Sequence, residues 1–150
     1  MKFEKFLKSV GTHGQIYTRD NGDRWLICNG VGMIIPVGVD NLLGSGEVSE
    51  KVKTTVEALI TADVDDKVEL IKATIKADGK PKDIIRVFGN PFEKDDPTVS
   101  ITNADFGLLE KGDVNIAEVE IENKDEFFDD KYLCILDFND DVVGFIKNID

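Results

Sequence analysis

Side chains that could carry out chemistry are sparse in this chain, apart from its charged residues. His13 is the only histidine among 150 residues. An imidazole can act as a general base near neutral pH, but it needs a second histidine, cysteine or serine partner in the same site. Nothing in Thr12-His13-Gly14 suggests such a partner, and no G-x-S-x-G turn offers a nucleophilic serine. We therefore interpret His13 as an exposed loop residue.

Metal and nucleotide sites have weak support in the sequence. The group Asp63, Asp65, Asp66 and Glu69 could hold a hard cation, but it lacks the glycine and the glutamate spacing of an EF-hand loop. Zinc is disfavoured, since the chain has one histidine and two distant cysteines. Glycine pairs at 30–32 and 44–46 lack the Lys-Ser/Thr of a phosphate loop. We expect no enzyme and no cofactor.

Charge is distributed unevenly along the chain. Residues 1–60 contain seven Lys/Arg and seven Asp/Glu, and residues 61–92 contain six of each. Residues 93–150 contain five lysines and 17 Asp/Glu, so the net charge of −12 belongs to the last third. This asymmetry predicts two surfaces with different partners, or one surface that repels other anions.

Carboxylates of the last third are regularly spaced. Glu118, Glu120 and Glu122 alternate with apolar residues and so share one face of a predicted strand. Further carboxylates flank Phe127-Phe128. The candidate acidic interaction face consists of Glu118, Glu120, Glu122, Asp125, Glu126, Asp129 and Asp130. Because evenly spaced negative charge can imitate a DNA backbone, one hypothesis is an acidic inhibitor of a basic nucleic-acid-processing enzyme. A merely solvated surface is the alternative.

Lysines form two groups that could face nucleic acid. Residues 72–86 contain five Lys/Arg and two Asp. On a hairpin, residues an even number apart share a face, and lysines of the N-terminal helix form a second group. The candidates for phosphate contact are Lys2, Lys5, Lys8, Lys72, Lys76 and Lys80. A solvated charged hairpin is the alternative, and no aromatic residues interleave to stack on bases.

Length and composition predict one domain, residues 1–150, with two pseudo-repeated halves near 1–62 and 63–150. Cys28 and Cys134 lie in apolar stretches, where we expect free thiols that pack as small apolar groups. No apolar run is long enough to cross a bilayer, and the first residues do not resemble a signal peptide. We expect a cytoplasmic protein without membrane contact.

Hydrophobic periodicity predicts an α+β fold in which antiparallel sheet dominates. Each end of the chain has a short helix followed by three strands. The predicted helices span 3–10, ended by Gly11, and 104–111, capped by Asn103 and closed by Gly112. The predicted strands span 15–18, 24–28, 33–37, 67–77, 82–88, 98–102, 114–122, 132–138 and 142–146.

The sequence of residues 47–76 does not decide between a helix and a strand. The apolar residues between Val48 and Ile60 recur near helical spacing, but many are β-branched, which lowers helix propensity. Residues 67–77 favour one strand of a long hairpin whose turn is residues 78–81. A helix through Val68, Leu70, Ile71 and Ile75 is the alternative for that stretch.

Two stretches resemble a single domain of phage sliding-clamp-like proteins, the processivity factors of DNA polymerases. Residues 17–30 are similar to the strand, turn, strand and Asn-Gly turn that follow the first helix in that family. Residues 131–137 and 142–146 are similar to its closing hairpin. The resemblance implies two similar halves, each with a helix and a small sheet. It also implies either a ring built from several copies of this chain, a homo-oligomer, or an isolated clamp-like domain. It also implies a phage or mobile-element accessory module for DNA replication that acts through protein contacts, with DNA contact as a further expectation.

Overall fold

The computed structural model describes residues 1–39, 48–75, 84–92, 99–113, 115–122 and 130–149. Within these ranges the helices are α1 (Phe3–Val10), α2 (Glu50–Ile60) and α3 (Asn103–Phe106). The strands are β1 (Gln15–Thr18), β2 (Arg24–Cys28), β3 (Val31–Ile34), β4 (Glu69–Ile75), β5 (Ile84–Gly89), β6 (Val99–Thr102), β7 (Ile116–Ile121), β8 (Asp130–Leu136) and β9 (Val142–Lys147). The strand pairs are antiparallel, which confirms the predicted α+β class.

The main sheet joins the two ends of the chain. Its six strands follow the order β1-β2-β3-β9-β8-β7. Strand β3, the last of the three strands near the N-terminus, therefore pairs at the centre with β9, the last of the three near the C-terminus. There Val31 pairs with Ile146 and Met33 with Gly144. Gly32 lies opposite Phe145, and a Cβ at position 32 would overlap that ring. The glycine therefore allows the two end units to pack closely at their junction.

Both faces of this sheet are buried, which explains the continuous apolar run of β8. Successive side chains of a strand point to opposite faces. Leu133 and Ile135 join a core with α1, α3 and the second sheet, whereas Tyr132 and Cys134 join a core beneath α2. The sheet is therefore the middle layer of the molecule, and α1 and α2 lie on opposite sides of it.

Helix α2 forms although its sequence is rich in β-branched residues. Ser49 caps it, since its hydroxyl accepts a hydrogen bond from the Val52 N–H at 3.3 Å. Val56 and Leu59 are buried against the main sheet. Burial of this face outweighs the propensity cost, which is a few tenths of a kcal/mol per β-branched residue. Residues 50–60, for which the sequence did not decide between helix and strand, therefore form a helix.

The second sheet has the order β4-β5-β6 and packs on the α1 side of the main sheet. Strands β4 and β5 pair antiparallel from Glu69 with Gly89 to Ile75 with Ile84, with a bulge between Leu70 and Lys72. The predicted hairpin is confirmed over these residues, and the helical alternative for residues 68–75 is wrong. The predicted turn at 78–81 lies outside the described residues.

Some boundaries differ from the predicted ones. Helix α3 ends at Phe106 and not near Gly112, because Gly107 is its C-cap, and its N-cap is Thr102 and not Asn103. Strand β3 covers 31–34 and not 33–37. The Ile35 N–H still donates to the Arg24 carbonyl at 2.8 Å, and Pro36 has no N–H to continue the ladder. Each shift is a few residues, and none changes the order of elements.

The two cysteines are free, as predicted. Cys134 is fully buried in β8, and this burial raises the pKa of its thiol to about 12. Cys28 is half-buried at the end of β2. Among the described residues, no helix has the length and apolar character needed to span a membrane.

Candidate functional site

The outer edge of β7 is partly covered by the segment that leads into β4. Antiparallel contacts join residues 66–68 to this edge: the Val68 N–H donates to the Ile116 carbonyl at 3.1 Å, and the Glu118 N–H donates to the Asp66 carbonyl at 2.9 Å. This pairing places the acidic turn after α2 beside the regularly spaced glutamates of β7. Two acidic stretches that are far apart in sequence thus meet at one sheet edge.

A groove of about 930 Å³ runs along this edge. The end of α2, the 63–68 segment, Asn90 and β7 form its walls. Five carboxylate side chains line it, together with the single ammonium of Lys67. These acidic residues are Asp63, Asp65, Asp66, Glu118 and Glu120. We refer to this feature as the acidic groove.

Carboxylates in the acidic groove lie close enough to shift one another's pKa. A hydrogen bond with Asp63 and the negative charge of that residue raise the pKa of the exposed Asp65 carboxyl. Burial is the main cause that raises the pKa of Glu118, with smaller contributions from Glu120 and Asp66, while Lys131 opposes the change. Both effects make an incoming positive charge favourable, since it would stabilise the ionised carboxylates.

Lysines inside and behind the groove neutralise part of its charge. The Lys131 Nζ lies 3.3 Å from Glu118 and 3.7 Å from Glu120. The Lys67 Nζ lies 2.8 Å from Asp140 and is 2.6 Å from the amide oxygen of Asn115, so it is directed toward another loop. Three aspartates after α2 therefore have no lysine or arginine paired with them among the described residues.

The predicted acidic face is divided by the structure. Glu118 and Glu120 line the groove, and Glu122 is exposed just after β7 ends. Asp130 points to the α2 side of the sheet, where it lies 3.7 Å from the Lys147 Nζ. Asp125, Glu126 and Asp129 lie outside the described residues. The structure therefore gathers two of the four described members of the set into the groove.

The predicted cationic residues lie on separate elements. Lys2, Lys5 and Lys8 are exposed along α1, and the Lys5 Nζ donates to the Gly107 carbonyl at 3.2 Å. Lys72 is exposed on β4. Lys76 and Lys80 lie outside the described residues. Lys2 is the N-cap of α1, whereas Lys5 and Lys8 lie within the helix.

In the sequence, Asp63, Asp65 and Asp66 are only weak candidates for metal ligands, and nothing local indicates that residues 66–68 pair with β7. Their negative charge was visible in the sequence. The long-range strand pairing that brings them beside β7 leaves no pattern in a short stretch of sequence. Across the described ranges, no three His, Cys, Asp or Glu side chains are arranged to hold a metal ion. His13 is exposed between α1 and β1.

A second polar cluster was also missed. Glu57 on α2 accepts hydrogen bonds from the Tyr17 hydroxyl at 2.7 Å, the Arg19 Nε at 2.9 Å and the Arg19 Nη2 at 3.2 Å. The bond from Arg19 is the main cause that lowers the pKa of Glu57. This cluster connects α2 to the edge strand β1 and the turn after it, and we call it the Glu57 cluster.

Comparison with protein-family models, with curated proteins and with solved structures returned no match for this chain.

Proposed function

We propose that this protein is a non-enzymatic accessory module that acts through protein contacts and uses the acidic groove to bind a basic segment of its partner. The observation that carries the proposal is the meeting of the 63–66 carboxylates with those of β7 at one sheet edge. Negative charges gathered in a groove attract cationic partners and speed their encounter.

The form of the groove favours an extended chain as the bound segment. Beyond the part of β7 that residues 66–68 cover, Glu120 continues the same edge, and its backbone N–H and carbonyl have no partner among the described residues. Exposed strand edges accept a further strand through main-chain hydrogen bonds. Lysine or arginine side chains of such a strand would meet the groove carboxylates.

The symmetric main sheet supports a clamp-like character for the module. The units α1–β3 and α3–β9 each contribute a helix and three strands, and both helices lie on the same side of the sheet. This repeated order of elements supports the proposal, although the two units share one sheet, and α2 and the second sheet belong to neither unit. Phage or mobile-element origin and a role in DNA replication belong to this proposal as well.

A decalysine peptide is a suitable first probe, titrated by calorimetry at low and at moderate salt. We expect saturable binding that weakens as salt rises, because the contact is between exposed charges. The variant Asp63→Asn/Asp65→Asn/Glu120→Gln should reduce the affinity by about tenfold or more, since it removes three of the five groove charges.

The matched control removes the same charge elsewhere. Glu4, Asp20 and Glu110 are exposed and lie outside the groove. The variant Glu4→Gln/Asp20→Asn/Glu110→Gln should bind decalysine nearly as well as the unmodified protein. Equal losses in both triple variants would mean that net charge alone attracts the peptide, and the groove proposal would then be wrong.

The acidic inhibitor that mimics DNA is a second candidate, favoured by the same groove carboxylates. It predicts no binding of a short labelled duplex DNA. The clamp-like module instead predicts salt-sensitive DNA binding that falls when Lys2, Lys5 and Lys8 are replaced by glutamine. Displacement of the duplex from protamine, lost in the groove variant and retained in the control, would favour the inhibitor.

A further inference from the structure

A second cavity lies on the α2 side of the main sheet, between the first half of α2, the β2–β3 turn and the ends of β8 and β9. Its volume is about 400 Å³, which falls in the size range of small-molecule sites. Its apolar wall includes Val52 and Val56 of α2 and the ring of Phe145. Polar side chains on both α2 and the strands also line it, among them Lys51, Tyr132 and Lys147, so the cavity suits a ligand with an apolar body and a polar end.

The hydroxyl of Tyr132 is the most informative of these polar groups. Tyr132 is 6% exposed and lines the cavity, yet its hydroxyl makes no hydrogen bond to any residue in the described ranges. Burial, with help from the Asp130 carboxylate, raises its pKa to about 12, so the phenol keeps its proton and can donate. The hydroxyl is not enclosed by protein, because Trp25 Nε1 is the only fully buried side-chain N or O atom without a hydrogen-bond partner in the described ranges. It can therefore donate to a ligand in the cavity.

Two ammonium groups lie in the same lining. Lys147 is the direct cross-strand partner of Tyr132 in the β8–β9 ladder, so the two side chains are neighbours on one face. Lys147 has a loose contact with Asp130 at 3.7 Å, which leaves its other N–H groups able to donate. Lys51 of α2 is exposed at the cavity and has no ion pair with the described residues. Two cations against one carboxylate leave the lining positive.

We propose that this cavity binds a small amphipathic carboxylate. The apolar body of the ligand packs on Val56 and Phe145. Its carboxylate accepts a hydrogen bond from Tyr132 and lies between the ammonium groups of Lys147 and Lys51. This site is independent of the acidic groove, because its lining residues and its preferred charge are different, and either site can fail without the other.

Octanoate is the probe for the test, and Trp25 is the reporter. Trp25 is the only tryptophan, and its ring stacks on Phe145 at 5.8 Å between centroids. Titration of octanoate into the full chain should change Trp25 fluorescence with a Kd of about 0.1–1 mM. Tyr132→Phe should weaken binding by about three- to tenfold, because it removes only the hydroxyl from a well-packed ring.

Lysine variants on one helix provide the matched comparison. Lys51→Gln should weaken octanoate binding by about threefold. Lys53→Gln makes the same charge change two residues away, outside the cavity lining, and should leave the Kd unchanged. The uncharged analogue 1-octanol should bind at least about tenfold more weakly than octanoate.

Three results would overturn the proposal. The first is the absence of a saturable fluorescence change up to about 5 mM octanoate. The second is an unchanged Kd in Tyr132→Phe, whose thermal unfolding confirms that it is folded. The third is equal affinity for octanoate and 1-octanol, which would leave only an apolar cavity.

Discussion

Helix α2 contributes to two charged regions in which the pKa values of carboxylates are shifted in opposite directions. In the Glu57 cluster, one carboxylate receives three hydrogen bonds from two side chains, and its pKa is lowered. In the acidic groove, five carboxylates share few cations, and the pKa values of Asp65 and Glu118 are raised. The same type of side chain is therefore stabilised in its ionised form in one region and destabilised in the other.

This contrast separates a structural role from the binding role that we propose for the acidic groove. A carboxylate whose partners lie within the chain contributes to folding, because its ionised form is favoured in the native state. A carboxylate crowded by like charges opposes folding at neutral pH, and a cation from outside the chain can relieve that repulsion. Excess charge that lowers stability is typical of a surface selected for binding.

Glu57→Gln should have the largest effect on stability. The amide can keep one of the hydrogen bonds from Tyr17 or Arg19, but the ion pair is lost. We expect the free energy of unfolding in urea to fall by about 1 kcal/mol, a modest value because the side chain is partly exposed. The effect should shrink as the pH falls from the ordinary glutamate pKa down through the lowered folded-state pKa of Glu57, because protonation there removes the same interaction in the unmodified protein.

Glu50 is the control for this prediction. It lies on the same helix, its side chain is 90% exposed, and it has only a 3.5 Å contact with Lys53. Glu50→Gln should change the unfolding free energy by less than about 0.3 kcal/mol. If the two variants lose equal stability, the Glu57 cluster is not a special connection between α2 and β1.

Glu118→Gln should have a smaller effect of the opposite sign. Burial makes its ionised form unfavourable, and Lys131 keeps Glu120 as a partner at 3.7 Å after the change. We expect a gain of about 0.5 kcal/mol in unfolding free energy at neutral pH. Because the folded-state pKa is raised, the penalty in the unmodified protein disappears as the pH falls below that pKa, so the gain should disappear as well. A loss of stability at neutral pH would mean that the bond to Lys131 outweighs burial.

Local patterns predicted most of the fold. The apolar spacing of α1, with Phe6 and Val10 on its buried face, and the alternation in β7 are visible in short windows. Helix α2 was ambiguous because its β-branched residues oppose a helix locally, and burial of Val56 and Leu59 decides the outcome. For α3, the glycine directly after Phe106 was the available signal for its early end.

The candidate site could be predicted only in part. The stripe of Glu118 and Glu120 followed from alternation, but its neutralisation by Lys131 depends on the β7–β8 register, which pairs Glu120 with Lys131. The contribution of Asp63 and Asp65 depends on residues 66–68 pairing with a strand far along the chain. Register and long-range pairing are set by packing of the whole sheet, so short sequence windows do not contain them.

The smallest expected effect is also the most local one, at the exposed end of the groove. Asp63→Asn removes the carboxylate whose hydrogen bond and negative charge raise the pKa of Asp65, and it introduces an amide that can donate a hydrogen bond to the ionised form. The pKa of Asp65, followed by NMR titration of its carboxyl carbon, should fall toward its ordinary value or below, while the pKa of Glu57 stays lowered. If Asp65 titrates unchanged, the two aspartates do not interact in solution. The crowding of charge in the groove would then be confined to the half-buried Glu118.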